Sequence, residues 1–276
     1  MVASFSSRKF RERSGNWAQS ATRNGRGVPL AALLERAGME DDVCEIVLEG
    51  ADHGIPAEPP RPPGTISYAR SLPRHKATQP EVLIAYQMNG HDLPHDHGYP
   101  VRAIVPGHYG MASVKWLTSI HAAREPFHGY WQTSDYAYWA HADGHPVRRP
   151  LGEMKVKSVI ARPTVYERLA PNQAYTITGA SWAGEAEIVE ITVSADGGLT
   201  WAKADFLDPA QRYAWRRWKF DWITPNKSGQ YILMARAQDA RGRMQPDQHD
   251  PSYGSYVINH PLPIEVFVEN PSSSPS

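Results

Sequence analysis

The sequence predicts an α+β protein, with a mixed α/β layer to about residue 150 and an all-β half, read as a β-sandwich, after it. Three observations predict this. Before residue 150, short apolar runs alternate with one run of helical period and with proline- and glycine-dense connections. From Lys155 onward the apolar runs alternate with period two, or are short and bounded by turn residues. Within that second half, Asp196-Gly197-Gly198 is a strong hairpin-turn signal. The expected division is 1–150 and 151–270, with a Ser/Pro-rich tail, 271–276, expected to be disordered.

Each element has a local reason. Leu30, Leu33, Leu34 and Ala37 fall at i, i+3, i+4 and i+7, with Pro29 before them and Gly38 after, which predicts a short amphipathic helix with a glycine C-cap. Cys44 to Leu48 reads as a strand ending in Glu49-Gly50-Ala51-Asp52, and Ala57 to Pro63 as a proline-dense loop. Val82 to Tyr86 reads as a buried strand running into the turn Met88-Asn89-Gly90. Val101 to Val105 is a strand stopped by Pro106-Gly107, and Val114 to Ile120 a further strand or short helix. In the second half, Val156, Val159 and Ile160 precede Arg162-Pro163. Tyr175 to Gly179 and Ala186 to Val193 alternate, and Leu199-Thr200-Trp201 follows the hairpin turn. Tyr213 to Trp222 is aromatic and basic, with Trp215, Trp218 and Trp222, and Tyr231 to Ala237 follows a turn at Asn226 to Gly229. Short strands at this spacing predict two packed sheets.

Composition removes some functions. Lys+Arg and Asp+Glu both number 29, so the formal net charge is +0 and no long-range field draws the chain to nucleic acid or to an acidic membrane. Any anion site must be local, made by a few converging cations. A single cysteine, Cys44, excludes an intramolecular disulfide and reads as a small buried strand residue. No apolar run approaches transmembrane length, and Met1 to Arg13 is basic with no apolar stretch after it, unlike a secretory signal.

The densest polar cluster is His91-Asp92-Leu93-Pro94-His95-Asp96-His97-Gly98-Tyr99-Pro100-Val101-Arg102. Three histidines and two aspartates in seven positions raise a zinc site. Against it, Pro94 breaks any helix, and no matched second half stands elsewhere, although His53 and His108 are candidates.

In a wider frame this stretch reads differently. Ala85-Tyr86-Gln87-Met88-Asn89-Gly90, Leu93-Pro94, Asp96 to Arg102, Val105-Pro106-Gly107 and Ser113-Val114-Lys115-Trp116-Leu117 follow one another in an order and spacing that resembles the sulfite oxidase family. Upstream, Trp17, Asn24, Gly27-Val28-Pro29-Leu30, Leu34, Ala37-Gly38 and Glu49 to Asp52 extend the resemblance. Downstream, Ser194 to Trp201, Trp215 to Trp218, Ala237 to Asp239 and Gln245-Pro246 resemble that family's dimerisation domain.

The resemblance implies a fold: the C-terminal part of a mixed α/β sulfite-oxidase-type molybdopterin-binding domain, followed by an immunoglobulin-like β-sandwich that pairs two subunits as a homodimer. It implies a molybdopterin cofactor and a molybdenum oxidoreductase. The substrate would be a small sulfur oxyanion such as sulfite, or a protein-bound sulfur, and the electron acceptor a cytochrome. By position, Asp52, His97, Arg102, Ser113, Val114 and Lys115 are the implied cofactor contacts, and Tyr136 the tyrosine beside metal and substrate. Such a cofactor carries a phosphate and a polar fused ring. Arg102 offers a planar fork, Lys115 a point charge and Asp52 an acceptor for ring nitrogens.

Two departures stand out. The family's metal-binding thiolate sits in a Cys-x-Gly-Asn segment. Ser14-Gly15-Asn16 echoes it without a thiol and too close to Gly27, and Cys44 is in the wrong strand. The expectation is a chain without the thiolate-bearing segment, inactive by itself. Animal-type members also place a substrate-binding arginine late in the dimerisation domain, where this chain has Gly254. The alternative expectation is a non-catalytic remnant of the cofactor domain, acting as a dimer-forming or binding protein.

Overall fold

A computed structural model describes residues 2–8, 20–56 and 62–270. Ser14-Gly15-Asn16, Trp17 and the 271–276 tail lie outside these. The described chain is mostly strand and divides into two units. One holds the first half through Glu153 together with Asp250–Tyr256; the other holds Met154–His249 and continues from Val257.

The first unit contains β1 (Val2–Arg8), β2 (Ser20–Pro29), α1 (Leu30–Arg36), β3 (Glu45–Gly54), β4 (Ile66–Pro73) and α2 (Arg74–Ala77). It continues with β5 (Leu83–Met88), β6 (His91–Asp92), β7 (Arg102–Ile104), β8 (Leu117–Ala123), β9 (Ala137–Ala142) and β10 (His145–Pro150). One sheet runs β1-β2-β5-β6 with β7 also on β5, a second runs β4-β3-β8, and β9 pairs with β10.

The expected mixed α/β layer is therefore poorer in helix than the sequence suggested. Pro29 and Gly38, at φ +72°, confine α1 to seven residues, and α2 has four. Helices this short do not stand alone in water, so packing must hold them. Leu30 and Leu34 supply it, buried against Ile46, Leu48, Leu72, Val82, Ile84 and Val114. Burying a leucine contributes roughly 1.5–3 kcal/mol. Two further expectations shift. Val114 is core but lies before the strand, which starts only at Leu117, because Trp116 takes φ +48° and breaks the run. Cys44 is half-buried, not buried, since it precedes β3, although its N–H donates to Ala123 O and its carbonyl accepts from Arg74 N.

The β2–β5 pair shows why one glycine is needed. In that register a Cβ on Gly27 would stand 2.4 Å from the Ile84 carbonyl oxygen. After β5, Asn89 and Gly90 take φ +55° and +83°, the conformation a tight hairpin requires.

The second unit contains β11 (Lys157–Arg162), β12 (Arg168–Leu169), β13 (Ala174–Trp182), β14 (Ile188–Ser194), β15 (Ala202–Lys203), β16 (Asp205–Phe206), β17 (Arg216–Ile223), β18 (Gly229–Asp239) and β19 (Ile264–Val268). They form a four-stranded sheet, β11-β13-β17-β16, and a five-stranded sheet, β12-β19-β18-β14-β15. Alternate residues of both enter one core: Ile160, Ile177, Trp218 and Trp222 from the first, Ile191, Val193, Leu233, Ala235 and Val266 from the second. Tyr213 sits before its predicted strand at φ +61°, so β17 begins only at Arg216.

The hairpin signal folds as a side-chain cage. Asp196 Oδ1 accepts from Ser194 Oγ at 2.7 Å and from Thr200 N at 2.9 Å, while Gly198 N donates to Ser194 Oγ at 2.8 Å. Gly197 and Gly198 take φ +73° and +95°, which a side chain would resist.

Candidate functional site

Residues from three segments of the first unit meet at the end of β3. After Gly50 the backbone turns so that Asp52 faces the segment Ser113-Val114-Lys115; a Cβ on Gly50 would meet Asp52 Oδ1 at 2.4 Å and Lys115 O at 2.6 Å. Asp52 Oδ1 is buried with no hydrogen-bond partner. A buried acceptor left this way costs about 1–3 kcal/mol, so it calls for a donor.

The turn His95–His97 places the next group. Gly98, at φ +98°, is packed so that a Cβ would lie 3.0 Å from Lys115 Cβ and 3.2 Å from Arg102 Cβ. Arg102 Nη1 donates to His97 O at 3.1 Å, Nη2 to Ser113 O at 2.8 Å and Nε to Ala103 O at 3.3 Å. No carboxylate among the described residues pairs with it. Burial pulls its pKa down to about 10. Lys115 lies beside it, with Nζ 3.3 Å from Asp96 O and 4.1 Å from the Trp116 ring. Ser113 Oγ accepts from Val105 N at 3.1 Å, which leaves its proton to donate. Val114, 1% exposed, anchors the segment in the core. Asp52, His97, Arg102, Ser113, Val114 and Lys115 thus form one cluster, in which the two cations donate to backbone carbonyls and the Asp52 carboxylate pairs with neither.

Tyr136 belongs to a second group in the same unit. It closes a π-turn, Trp131–Asp135, and is half-buried. Single π-turns are rare and concentrate at functional sites. Strand β4 holds this turn. Arg70, 2% exposed, donates through Nη1 to Trp131 O and through Nη2 to Leu151 O at 2.8 Å. Gln132 donates to Ser71 Oγ at 2.8 Å. The Arg70 guanidinium carbon lies 5.8 Å from the Tyr136 ring centre.

The late segment Asp250–Tyr256 completes the group. Tyr256 OH donates to Asp135 Oδ1 at 3.2 Å, and its ring is 5.8 Å from that of Tyr136. Gly254 carries no charge there. Burial is the main reason the Tyr136 phenol titrates above its usual range; Asp135 adds to the rise and Arg70 opposes it. Burial likewise pushes Tyr256 up to about 12, helped by Asp135. Both phenols keep their protons at neutral pH and so remain donors. Tyr68 links the two groups: its hydroxyl donates to Met111 O at 2.8 Å, its ring lies 5.5 Å from Trp131, and its ionisation is coupled to Asp52, Arg70 and Tyr136.

Sequence reasoning missed Arg70, Tyr68 and Tyr256. The available signal was Arg70 itself, an arginine inside the apolar strand Ile66–Pro73. The histidine cluster contributes no metal centre: among the described residues no group of three His, Cys, Asp or Glu is placed to hold an ion. His91 and His95 are exposed, and the His95 ring lies 5.6 Å from Trp116.

Comparison with known proteins places the chain in a family. Residues 4–131 match the oxidoreductase molybdopterin binding domain and residues 148–259 the Mo-co oxidoreductase dimerisation domain. Mitochondrial sulfite oxidase of Mus musculus is 33% identical over 256 residues, 87% of this chain and 45% of that protein. NADH nitrate reductase of Solanum lycopersicum is 28% identical, over 84% of this chain and 28% of its own length. The chain thus spans less than half the length of these relatives. The crystal structure of the sulfane dehydrogenase SoxCD from Paracoccus pantotrophus superimposes with a TM-score of 0.76 and 26% identity, covering 98% of this chain and 72% of that one.

Proposed function

Because the chain belongs to the sulfite oxidase family of molybdopterin oxidoreductases, we propose that it forms the cofactor-holding and subunit-pairing part of an enzyme that oxidises sulfite or a related sulfur compound. Its cofactor is molybdopterin. The observation that carries the reading is a pair of neighbouring cations held by carbonyls and not by carboxylates: Arg102, donating to three of them, beside Lys115.

The residues fit the group. Arg102 and Lys115 take the terminal phosphate, with the Ser113 hydroxyl donating to it. Asp52, whose Oδ1 is buried without a donor, accepts from the pterin ring. His97 lies between them on the turn that Arg102 holds, and Val114 fixes the floor. When bound, the cofactor supplies the two-electron redox chemistry. Tyr136 acts separately and presents a protonated phenol to a substrate oxyanion, from a site walled by Trp131 and Tyr256.

Cys44 does not complete the metal's coordination in this reading. It stands before β3 while Asp52 stands near its far end, and eight extended residues span about 26 Å. We further propose the domain division 1–150 and 151–270, an immunoglobulin-like form for the second domain, a homodimer through it and a cytochrome as electron acceptor.

Metal and pterin analysis of the chain purified from molybdopterin-producing cells tests the reading. Bound pterin is expected; zinc alone, or an empty protein, would overturn it. With no thiolate among these residues placed at the metal, the 276-residue chain alone is expected to give no sulfite turnover. Steady oxidation with an artificial acceptor, abolished by molybdate starvation, would show that expectation to be wrong.

A further inference from the structure

Arg70 is a fully buried cation that nothing in the cofactor cluster uses. It is 2% exposed, yet among the described residues no carboxylate pairs with it, and its Nε is buried without a partner. Keeping an ion in such a place is costly unless its charge or its geometry serves something. Its two partners are specific. One is Trp131 O, at the first residue of the π-turn that delivers Tyr136. The other is Leu151 O, and Leu151 N–H donates to Tyr136 O at 2.9 Å. Arg70 therefore grips the chain before Tyr136 and the residue that holds Tyr136's own carbonyl, while its guanidinium carbon lies 5.8 Å from the phenol ring centre.

We propose that Arg70 is a positioning residue for Tyr136: its fork fixes the π-turn on both sides of the tyrosine, and its buried positive charge steadies negative charge developing at the phenol and at an anion bound to it. The proposal rests on the reading of Tyr136 as the substrate-facing group. The other charged and titratable groups facing Tyr136 are Asp135, on the same turn, Tyr68 on β4, and Tyr256 from the late segment. Asp135 is shared with Tyr256, so Arg70 is the cation that opposes it at the Tyr136 ring. A lysine would keep the charge and lose the fork; a glutamine would lose both.

The test uses the full chain without cofactor. Tyr136→difluorotyrosine introduces one fluorinated phenol that titrates well below tyrosine, and fluorine NMR follows it alone. Adding Arg70→Gln is expected to raise its midpoint by about one pH unit or more, a tenfold change in ionisation constant. Adding Arg70→Lys is expected to leave the midpoint within a few tenths of a unit of the parent, with a broadened or doubled resonance because the turn is no longer held on both sides. A folded Arg70→Gln protein with an unmoved midpoint overturns the proposal. So does a folded Arg70→Lys protein whose midpoint rises as though the charge were gone. If neither variant folds, Arg70 is only a strut and the proposal fails. No cofactor or substrate enters the measurement, so it can fail while pterin binding stands, and can hold in a chain that binds no pterin.

Discussion

Arg102 donates to three backbone carbonyls, those of His97, Ala103 and Ser113. Burial lowers the guanidinium's pKa to about 10, and carbonyls, which carry partial charge only, do not offset it. A phosphate would restore the balance. In a holoenzyme containing this chain, Arg102→Ala and Lys115→Ala should each lower molybdopterin occupancy, since a charge-assisted contact is worth roughly 1.5–3 kcal/mol. Tyr136→Phe should leave occupancy intact and slow turnover. Metal and pterin content measured beside kcat separates the two classes; equal content in all three variants would mean the anion contacts are misassigned. Arg102, Lys115 and Asp52 could be singled out as candidates from the sequence because they lie in compact stretches whose order and spacing are distinctive. Arg70 and Tyr256 could not. Arg70 reaches Trp131 across 61 residues and Tyr256 reaches Asp135 across 121. Separations of that length leave no local pattern.

At the scale of the element, local chemistry was readable and its limits were not. The turn at Asp196 was predicted from two glycines, but the acceptor cage around the carboxylate became visible only in the fold. Hydrogen bonds from the Thr200 hydroxyl and N–H, then from Ser194, hold that carboxyl at about 2 rather than its ordinary 3.8. A depressed folded-state pKa gives stability that is present above the unfolded value and is lost as pH falls through the folded one. Denaturant midpoints should therefore drop between about pH 3.8 and about pH 2. Asp196→Asn should flatten the profile in that window; an unchanged profile would show the cage to be inert. Gly179 poses a steric question that its alternating strand does not announce. A Cβ there would lie 2.1 Å from Trp218 Cζ2 and 2.3 Å from Val159 O. Trp218 is fully buried and cannot step aside. Gly179→Ala should cost about 1–3 kcal/mol by overpacking, read as a lower Tm of the intact chain. A Tm equal to that of the parent would mean that β13 and β17 can part without penalty. The π-turn at Trp131–Asp135 was invisible in advance, because π geometry has no sequence signature comparable to a heptad or an alternating strand.

For the whole molecule, the sequence pattern changes from mixed to pure strand near residue 150, and the described chain divides into two units. The homodimer is tested directly: light scattering on the full chain should give twice the monomer mass at concentrations well above micromolar. A monomeric mass there would remove the pairing and leave the fold untouched. What no periodicity foretold is that the first unit is discontinuous, reclaiming Asp250–Tyr256 after the chain has built most of the second. This has a consequence for the order of synthesis. Domains fold as units, N-terminal first, while the ribosome adds roughly 5–20 residues per second. About a hundred residues separate Glu153 from Asp250, so the first unit waits on the order of 5–20 s for its last piece. During that interval Tyr136 stands without Tyr256 beside it, and the half of the protein that is born first closes only after most of the other half has been made.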